Sequence, residues 1–412
     1  MRDIPTLPVD RREYLKAAGA GVAAMAGLAG CSGGGDGGDG GDGGGDGGDG
    51  GDGSGDGSDG SGGGGDLQTV NQAVVPANMG APYAMDKWIR EVGVLGEEIG
   101  YPFHEDGIKA RWAEHGYDLN FQTTWDDATL FASHQVQLGH TAPIGAVQLG
   151  QSQDTVISIF GITLTNMHGW AVKTGGPYDP DNTGSVQASL DKMVEEQTRV
   201  SNAGWASGSL KYQQIIFENR YGYSMTQEEG DFNVQPSDYS AIPDLIVNGD
   251  IAMGVMLPLA GRGYKELAVD ESLKMLFWDY NVFQEEGWGI PVLQTPSTHK
   301  SFLQENPEAV RLMLEDWNKG QELYMENAES IAADEESWGM IGADTEGEAQ
   351  WLTDLYVSAD AGIDRPTLLY PVALDDDRIE AIKSGIELAA EIGTVPSDWD
   401  NYVEFVHMDD IL

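Results

Sequence analysis

From Leu67 to the C-terminus, short apolar stretches alternate with segments of helical periodicity, a pattern typical of α/β proteins. Val70 to Val75 and Leu119 to Thr123 have the composition and alternation of strands. Thr155 to Ile162 is a nearly continuous apolar run, as expected of a strand that is buried on both faces. We predict further strands at 135–140, 169–173, 200–203, 251–257, 273–277 and 289–295.

The last third of the chain is predicted to be helical. Asn306 and Pro307 form an N-cap followed by proline at the first helical position. Apolar side chains at helical spacing then predict one buried face, made by Val310, Met313, Leu314 and Trp317. A last helix follows from the same spacing at Ile379, Ile382, Ile386 and Ala389.

The stretch from Arg199 to Gly222 combines a short strand, a loop rich in glycine and serine, and a helix. A helix that begins directly after such a loop presents unpaired backbone N–H groups and a partial positive charge, which suit an anionic or polar group. The alternative is an ordinary capped helix with Ser207 or Ser209 as its N-cap. The local sequence does not choose between these two interpretations.

Residues 1–31 have the pattern of an export signal. The Arg11-Arg12 pair lies in a stretch that resembles the twin-arginine motif, an apolar run follows from Ala17 to Ala29, and Leu28 to Cys31 resembles a lipobox. We therefore expect Cys31 to be lipidated. Residues 32–66 consist of Gly, Asp and Ser, so they cannot form a core and are predicted to be a disordered tether.

The chain contains 22 Lys and Arg against 68 Asp and Glu, a formal net charge of −46. Only twelve of these acids lie in residues 1–66, so the excess extends over the folded part. Binding to nucleic acid needs clustered cations, and we exclude nucleic acid as a partner. The composition is similar to that of proteins from salt-loving organisms, where salt screens the self-repulsion. The alternative is a protein that is simply acidic.

Cysteine and histidine usage excludes several kinds of site. Cys31 is the one cysteine, and the seven histidines are scattered without the spacing of a zinc site. From Leu67 onward the chain also contains neither a G-x-x-x-x-G-K-[ST] phosphate loop nor a G-x-S-x-G hydrolase motif. We therefore predict no disulfide, no metal site, no cofactor and no enzymatic activity.

Five motifs in order resemble those of a known family. They are the strand–loop–helix stretch at Asn78, Thr123-Thr124-Trp125 before a helix, the strand exit from Gln137 to Pro143, the loop from Gly204 to Ser209, and the run from Leu245 to Ala252 that leads to Pro258. They are similar to motifs in the substrate-binding proteins of ABC importers, of the nitrate/sulfonate/taurine type.

The resemblance implies the type 2 periplasmic-binding-protein fold, an α/β fold of two lobes that each contain a mixed sheet flanked by helices. It assigns residues 67–164 and 288–412 to lobe 1 and residues 165–287 to lobe 2. The segments that cross between the lobes, and act as hinges, are expected near 162–166 and 277–289.

The same resemblance implies a ligand site in the cleft between the lobes. We expect the solute to contact Asn78, Trp125, Thr141, Trp205, Ser207, Gly208 and Ser209. Second-rank candidates are Trp170, Asp126 and Trp288, although each tryptophan could equally pack in the core. Lys173 and Arg262 are the cations nearest the candidate loops.

The implied function is extracytoplasmic capture of a small organic anion, such as a sulfonate, taurine or nitrate. Hinge closure would then deliver the solute to ABC permease subunits. The protein is expected to act as a monomer, held to the outer face of the cell membrane by the lipid anchor at Cys31. The two predicted tryptophans leave open an aromatic or heterocyclic vitamin precursor as the solute.

Two other classes of protein are alternatives to this function. A related branch of the fold synthesises a pyrimidine precursor, but it requires a cysteine-rich segment that the folded part of this chain lacks. A tethered surface or sensory protein is the second class. A binding protein that reports to a receptor would have the same sequence features.

Overall fold

The computed structural model describes residues 67–74, 105–124, 127–205, 207–258, 262–338, 343–357 and 368–411. The predicted export signal, lipidation site and tether lie outside these ranges, as do Asn78, Trp125 and Asp126. Within the described ranges, no helix combines the length and apolar character needed to cross a bilayer.

The strands form two sheets. The first takes strands from both ends of the described chain: β1 (Gln68–Val74), β2 (Tyr117–Thr123), β3 (Leu138–Thr141), β4 (Ile157–Ile159), β5 (Leu164–Thr165), β11 (Val292–His299) and β12 (Val403–Phe405). The second takes strands from the middle: β6 (Gly169–Lys173), β7 (Arg199–Ser201), β8 (Asn233–Val234), β9 (Met253–Met256) and β10 (Leu273–Trp278).

Each sheet is mixed. The first has the order β12-β4-β11-β3-β1-β2, with β5 also paired to β11. Strand β11 runs antiparallel to both β3 and β4, whereas β1 is parallel to β2 and β3. The second has the order β10-β6-β9-β7-β8, and β6 is antiparallel to both of its neighbours. The division of strands follows the proposed lobes, whose boundaries remain a prediction.

Helices cover the sheets and connect the strands. The described helices are α1 (Glu105–Glu114), α2 (Asp127–Ala132), α3 (Pro143–Gln153), α4 (Pro180–Thr183), α5 (Val186–Glu195), α6 (Gly208–Tyr221), α7 (Ile242–Asn248), α8 (Asp279–Glu286), α9 (Lys300–Glu305), α10 (Pro307–Ala333), α11 (Glu346–Val357), α12 (Asp376–Glu391) and α13 (Met408–Ile411). Shorter turns of other helix types lie at Lys265–Val269, Glu335–Ser337 and Trp399–Asn401.

The predicted elements are mostly present, with shifted ends. The apolar run from Thr155 to Ile162 forms only the three-residue strand β4, because the chain then leaves the sheet towards β5. The strand predicted at 289–295 begins three residues later and continues to His299. Burial explains the first difference, since Phe160 and Ile162 are apolar and fully buried without belonging to a strand.

The long helix α10 confirms the predicted buried face. Val310, Met313, Leu314 and Trp317 are each fully buried. They join Val70 and Leu138 of the first sheet in one hydrophobic cluster. Such burial contributes about 1.5–3 kcal/mol for each large apolar side chain, so this stripe fixes α10 on the sheet.

His140 on β3 supports a prediction about pH. It is fully buried beside Trp317, with ring centroids 4.6 Å apart, and burial lowers its pKa from 6.5 to about 3. The folded protein therefore keeps His140 neutral below pH 6.5, where the unfolded chain binds a proton. This residue should make the free energy of unfolding fall by about 1.4 kcal/mol per pH unit as the pH drops below 6.5.

Urea unfolding of wild type and His140→Gln, at one fixed salt concentration between pH 6.5 and 4.5, checks this. The variant should lose less stability than the wild type across that range. Parallel pH profiles for the two proteins would contradict the assignment.

Gly169 begins β6 where the backbone of β10 comes close. A methyl group there would lie 2.4 Å from the carbonyl oxygen of Phe277 and 2.6 Å from Cε of Met275. We expect Gly169→Ala to lower the free energy of unfolding by about 1–3 kcal/mol because one contact is with rigid backbone. Gly145→Ala on α3 is the control, since a methyl group there meets nothing within 4 Å. Equal stabilities of the two variants in urea unfolding would refute the predicted clash.

Candidate functional site

The carboxyl ends of the strands meet at one edge of each sheet. In the first sheet, the ends of β1, β2, β3 and β4 lie at the edge where antiparallel β11 begins. In the second, the ends of β7, β9 and β10 lie where antiparallel β6 begins. Ligands of open α/β sheets bind at such edges, so the corners that follow these strands form the candidate site.

Three hydroxyl groups meet at the start of α6. Ser207 Oγ lies 2.9 Å from Ser209 Oγ, and each of these oxygens lies 3.1 Å from the hydroxyl of Tyr239. Ser207 occupies the N-cap position with extended backbone, but its side chain makes no capping hydrogen bond. The interpretation as a side-chain-capped helix is therefore wrong for Ser207, whose hydroxyl belongs to this triad.

Tyr239 is the member of the triad that the sequence did not reveal. It lies in the turn before α7, half-buried, with its ring centroid 5.3 Å from that of His168. Burial raises the pKa of its hydroxyl, the charge of Asp279 adds to this, and the hydrogen bonds to Ser207 and Ser209 oppose it. Tyr239 therefore stays protonated near neutral pH and can donate a hydrogen bond.

The start of α3 faces the start of α6. A methyl group at Gly208 would lie 3.6 Å from Cβ of Ala142, which is the N-cap residue of α3 and makes no side-chain capping bond. The residue before it, Thr141, is buried, and its hydroxyl lies 2.9 Å from Ser297 Oγ. Two helix N-termini from opposite sheets thus come together at this contact.

The tryptophan candidates are placed differently from one another. Trp205 is half-buried on the loop before α6 and packs against the main hydrophobic cluster. Trp170 is fully buried and packs edge-on against Phe217, so in this structure it has a core position with no surface for a solute. Trp288 is half-buried and packs edge-on against Phe283.

The backbone before α6 explains why the loop needs its glycine. Gly204 has a φ of +130°, in the region that side chains disfavour. Its N–H donates to Oδ1 of Asn202 at 3.0 Å, and its carbonyl accepts from the N–H of Ser207 at 3.2 Å. This tight turn places Ser207 at the N-terminus of α6.

The two segments that cross between the sheets are hydrogen-bonded to each other. Nδ2 of Asn166 donates to Oδ2 of Asp279 at 3.0 Å, and the N–H of Asp279 donates to the carbonyl of His168 at 2.9 Å. Gln213 on α6 donates to the same oxygen of Asp279 at 3.2 Å. All four residues are buried. The crossing segments and α6 therefore share one buried carboxylate.

The two cations nearest the candidate loops are bonded to other groups. Lys173 ends β6 at the opposite edge of the sheet, where Nζ donates to the carbonyl of Val247 at 2.6 Å beside a cavity of about 270 Å³. Arg262 pairs with Asp244 at 2.6 Å and with Glu266. No group of three or more metal-binding side chains occurs in the described ranges.

No protein-family model and no curated protein sequence matches this chain. Its structure is similar to the alkanesulfonate-binding protein SsuA of Xanthomonas axonopodis pv. citri bound to MOPS, with a TM-score of 0.54, 12% identity, and coverage of 83% of this chain and 100% of that one. It is also similar to the periplasmic aliphatic sulphonate binding protein SsuA of Escherichia coli, with a TM-score of 0.53, 11% identity, and coverage of 83% and 94%.

A third similar structure is a Candida albicans gene product described as exhibiting the generic periplasmic binding protein fold. The TM-score is 0.50 at 13% identity, and the match covers 83% of this chain and 97% of that one. Likeness at these identities establishes the fold. The chain has the α/β fold of periplasmic binding proteins, as the motifs in its sequence predicted.

Proposed function

We propose that this protein is the solute-binding component of an ABC-type importer and that it captures a small organic anion between its two lobes. The observation that carries the proposal is the meeting of two helix N-termini, at Ala142 and Gly208, beside the hydroxyls of Ser207, Ser209 and Tyr239. The fold supports the same function, since the similar structures named as sulfonate-binding proteins share it.

The chemistry of this corner favours an anionic head group. Each helix N-terminus carries roughly half a positive charge and backbone N–H groups without a helical partner. Neither Ala142 nor Ser207 fills its helix start with a side-chain cap. Three hydroxyls are available as donors. A sulfonate or carboxylate would replace the bonds that these hydroxyls now make to one another.

Closure of the lobes would follow from differential contact. A solute held between the starts of α3 and α6 touches both lobes only when they are together, and therefore favours the closed form. The hinge would consist of the paired crossing segments around Asn166 and Asp279. Because Gln213 bonds to the same carboxylate, α6 would move with the hinge as one unit.

The second candidate solute is an aromatic or heterocyclic vitamin precursor. Trp205, half-buried on the loop that leads into α6, favours it because an indole can stack on such a ring.

We further propose export before capture, lipid anchoring at Cys31, and action as a monomer with permease subunits in the membrane. Adaptation to high salt belongs to the same proposal and would explain the charge of −46.

A thermal-shift screen at high salt tests the function. Panels of sulfonates (taurine, propane-1-sulfonate and MOPS), nitrate, short carboxylates and thiamine-type pyrimidines are compared. We expect at least one sulfonate or carboxylate to stabilise the protein in proportion to RT ln(1 + [L]/Kd). Stabilisation by pyrimidines alone would favour the second candidate, and no stabilisation by any of them would count against solute binding.

The stabilising compound then allows the site to be checked by calorimetry. Trp205→Ala should weaken its binding by about 1–3 kcal/mol, and Tyr239→Phe should weaken it by about 1 kcal/mol through loss of one donor. Tyr178→Phe is the matched control, because that hydroxyl bonds to Glu196 outside the site. Unchanged affinity in both site variants would remove this corner from the binding site.

The hinge network supports a prediction about stability. Asp279→Ala would leave the buried amides of Asn166 and Gln213 without this acceptor, which should lower the free energy of unfolding by about 2 kcal/mol or more. Glu285→Ala is the control, because its ion pair with Arg220 lies at the surface and should contribute less than about 1 kcal/mol. Urea unfolding of the ligand-free proteins decides this, and similar losses in both variants would contradict a structural role for Asp279.

A further inference from the structure

Lys211 is a cation without a counter-charge among the described residues. It lies in the first turn of α6, two residues after Ser209, and is half-buried. It makes no hydrogen bond, ion pair or ring contact with any residue in the described ranges. Burial lowers its pKa.

This isolation differs from the usual arrangement of cations in so acidic a chain. Acids outnumber Lys and Arg by 68 to 22; Lys173 and Lys192 bond to backbone carbonyls, but most other cations in the described ranges bind carboxylates closely. Arg111, Arg220 and Arg311, for example, each contact two acids. A lysine with no assigned role would be expected either to find such a partner or to extend into water.

The position of Lys211 is also electrostatically unfavourable. The first turn of a helix carries the positive end of the helix dipole, which favours acids and disfavours cations. Partial burial adds a desolvation cost to the charged form. Local conflicts of this kind, without compensation inside the chain, are typical of functional positions.

Helix geometry predicts that Lys211 lies near the contact between the lobes. Side chains on a helix lean towards its N-terminus, so we expect the stem of Lys211 to lie over the turn that contains Gly208. Gly208, Lys211 and Ile215 lie at helical spacing on one face of α6. That face begins where Gly208 meets Ala142 of the opposite sheet.

We infer that Lys211 is a specificity-determining residue, whose ammonium binds the negative head group of an organic sulfonate or carboxylate held between the starts of α3 and α6. The inference rests on the proposed function and deepens it, since it favours an anion over a neutral heterocycle. The anion supplies the counter-charge that the described residues do not provide. Without solute, the uncompensated charge of Lys211 lowers the stability of the ligand-free protein.

Calorimetry with one charged and one neutral probe tests this inference. Propane-1-sulfonate is compared with methyl propyl sulfone, which has a similar shape and no charge. Wild type should prefer the sulfonate. Lys211→Met should weaken sulfonate binding about 10- to 100-fold, the range for a charge-assisted hydrogen bond, and should reduce the preference over the sulfone. Lys211→Arg should retain most of the affinity.

Lys383→Met is the matched control. It removes the same charge from α12, where Lys383 pairs with Glu380, and should leave sulfonate affinity within about twofold of wild type. A second readout needs no ligand: in thermal unfolding of the ligand-free proteins, Lys211→Met should melt at the same temperature as wild type or higher. A purely structural lysine would give a lower melting temperature.

The outcomes separate the inference from the function on which it rests. Sulfonate affinity within twofold of wild type in Lys211→Met, or a lower melting temperature of that variant without ligand, would overturn the role of Lys211 and leave the importer function standing. If wild type binds neither the sulfonate nor any anion of the wider panel, the anion-binding function fails and the inference fails with it.

Discussion

Between residues 164 and 292 the chain crosses twice between its two sheets, and the two crossings lie side by side. The buried carboxylate of Asp279 accepts from Asn166 on the first crossing, and the backbone of Asp279 donates to His168. Because both crossings occur at the same edges, the strand ends of the two sheets face each other. The placement of every candidate site residue in the described ranges depends on this constraint.

The shared carboxylate also ties the crossings to α6, since Gln213 donates to it from that helix. Buried charges are costly unless donors satisfy them, and here the side-chain amides of Asn166 and Gln213 both donate to Oδ2 of Asp279. The start of α6 is thus held in register with the crossing segments. A change in the relative position of the sheets would therefore be transmitted through this network to a site at the start of α6.

Electrostatics distinguishes the candidate site from the rest of the molecule. Over most of the described surface, the few cations form pairs or clusters with acids, as Arg311 does with Glu308 and Glu315. At the start of α6 the positive elements are backbone N–H groups and Lys211, which has no carboxylate partner among the described residues. Such positive groups in an acidic protein favour the entry of anions there.

The sequence by itself determined the α/β class, the buried stripe of α10 and the serine loop before α6. These features are local: periodicity, turn residues and loop composition act within a few residues of one another. Only the tertiary structure decided that Tyr239 completes the hydroxyl triad, because it lies 30 residues beyond Ser209 with no local pattern to mark it. It likewise separated buried Trp170 from half-buried Trp205, placed Lys173 at the opposite edge of its sheet and paired Arg262 with Asp244, since burial and pairing depend on which strands become neighbours.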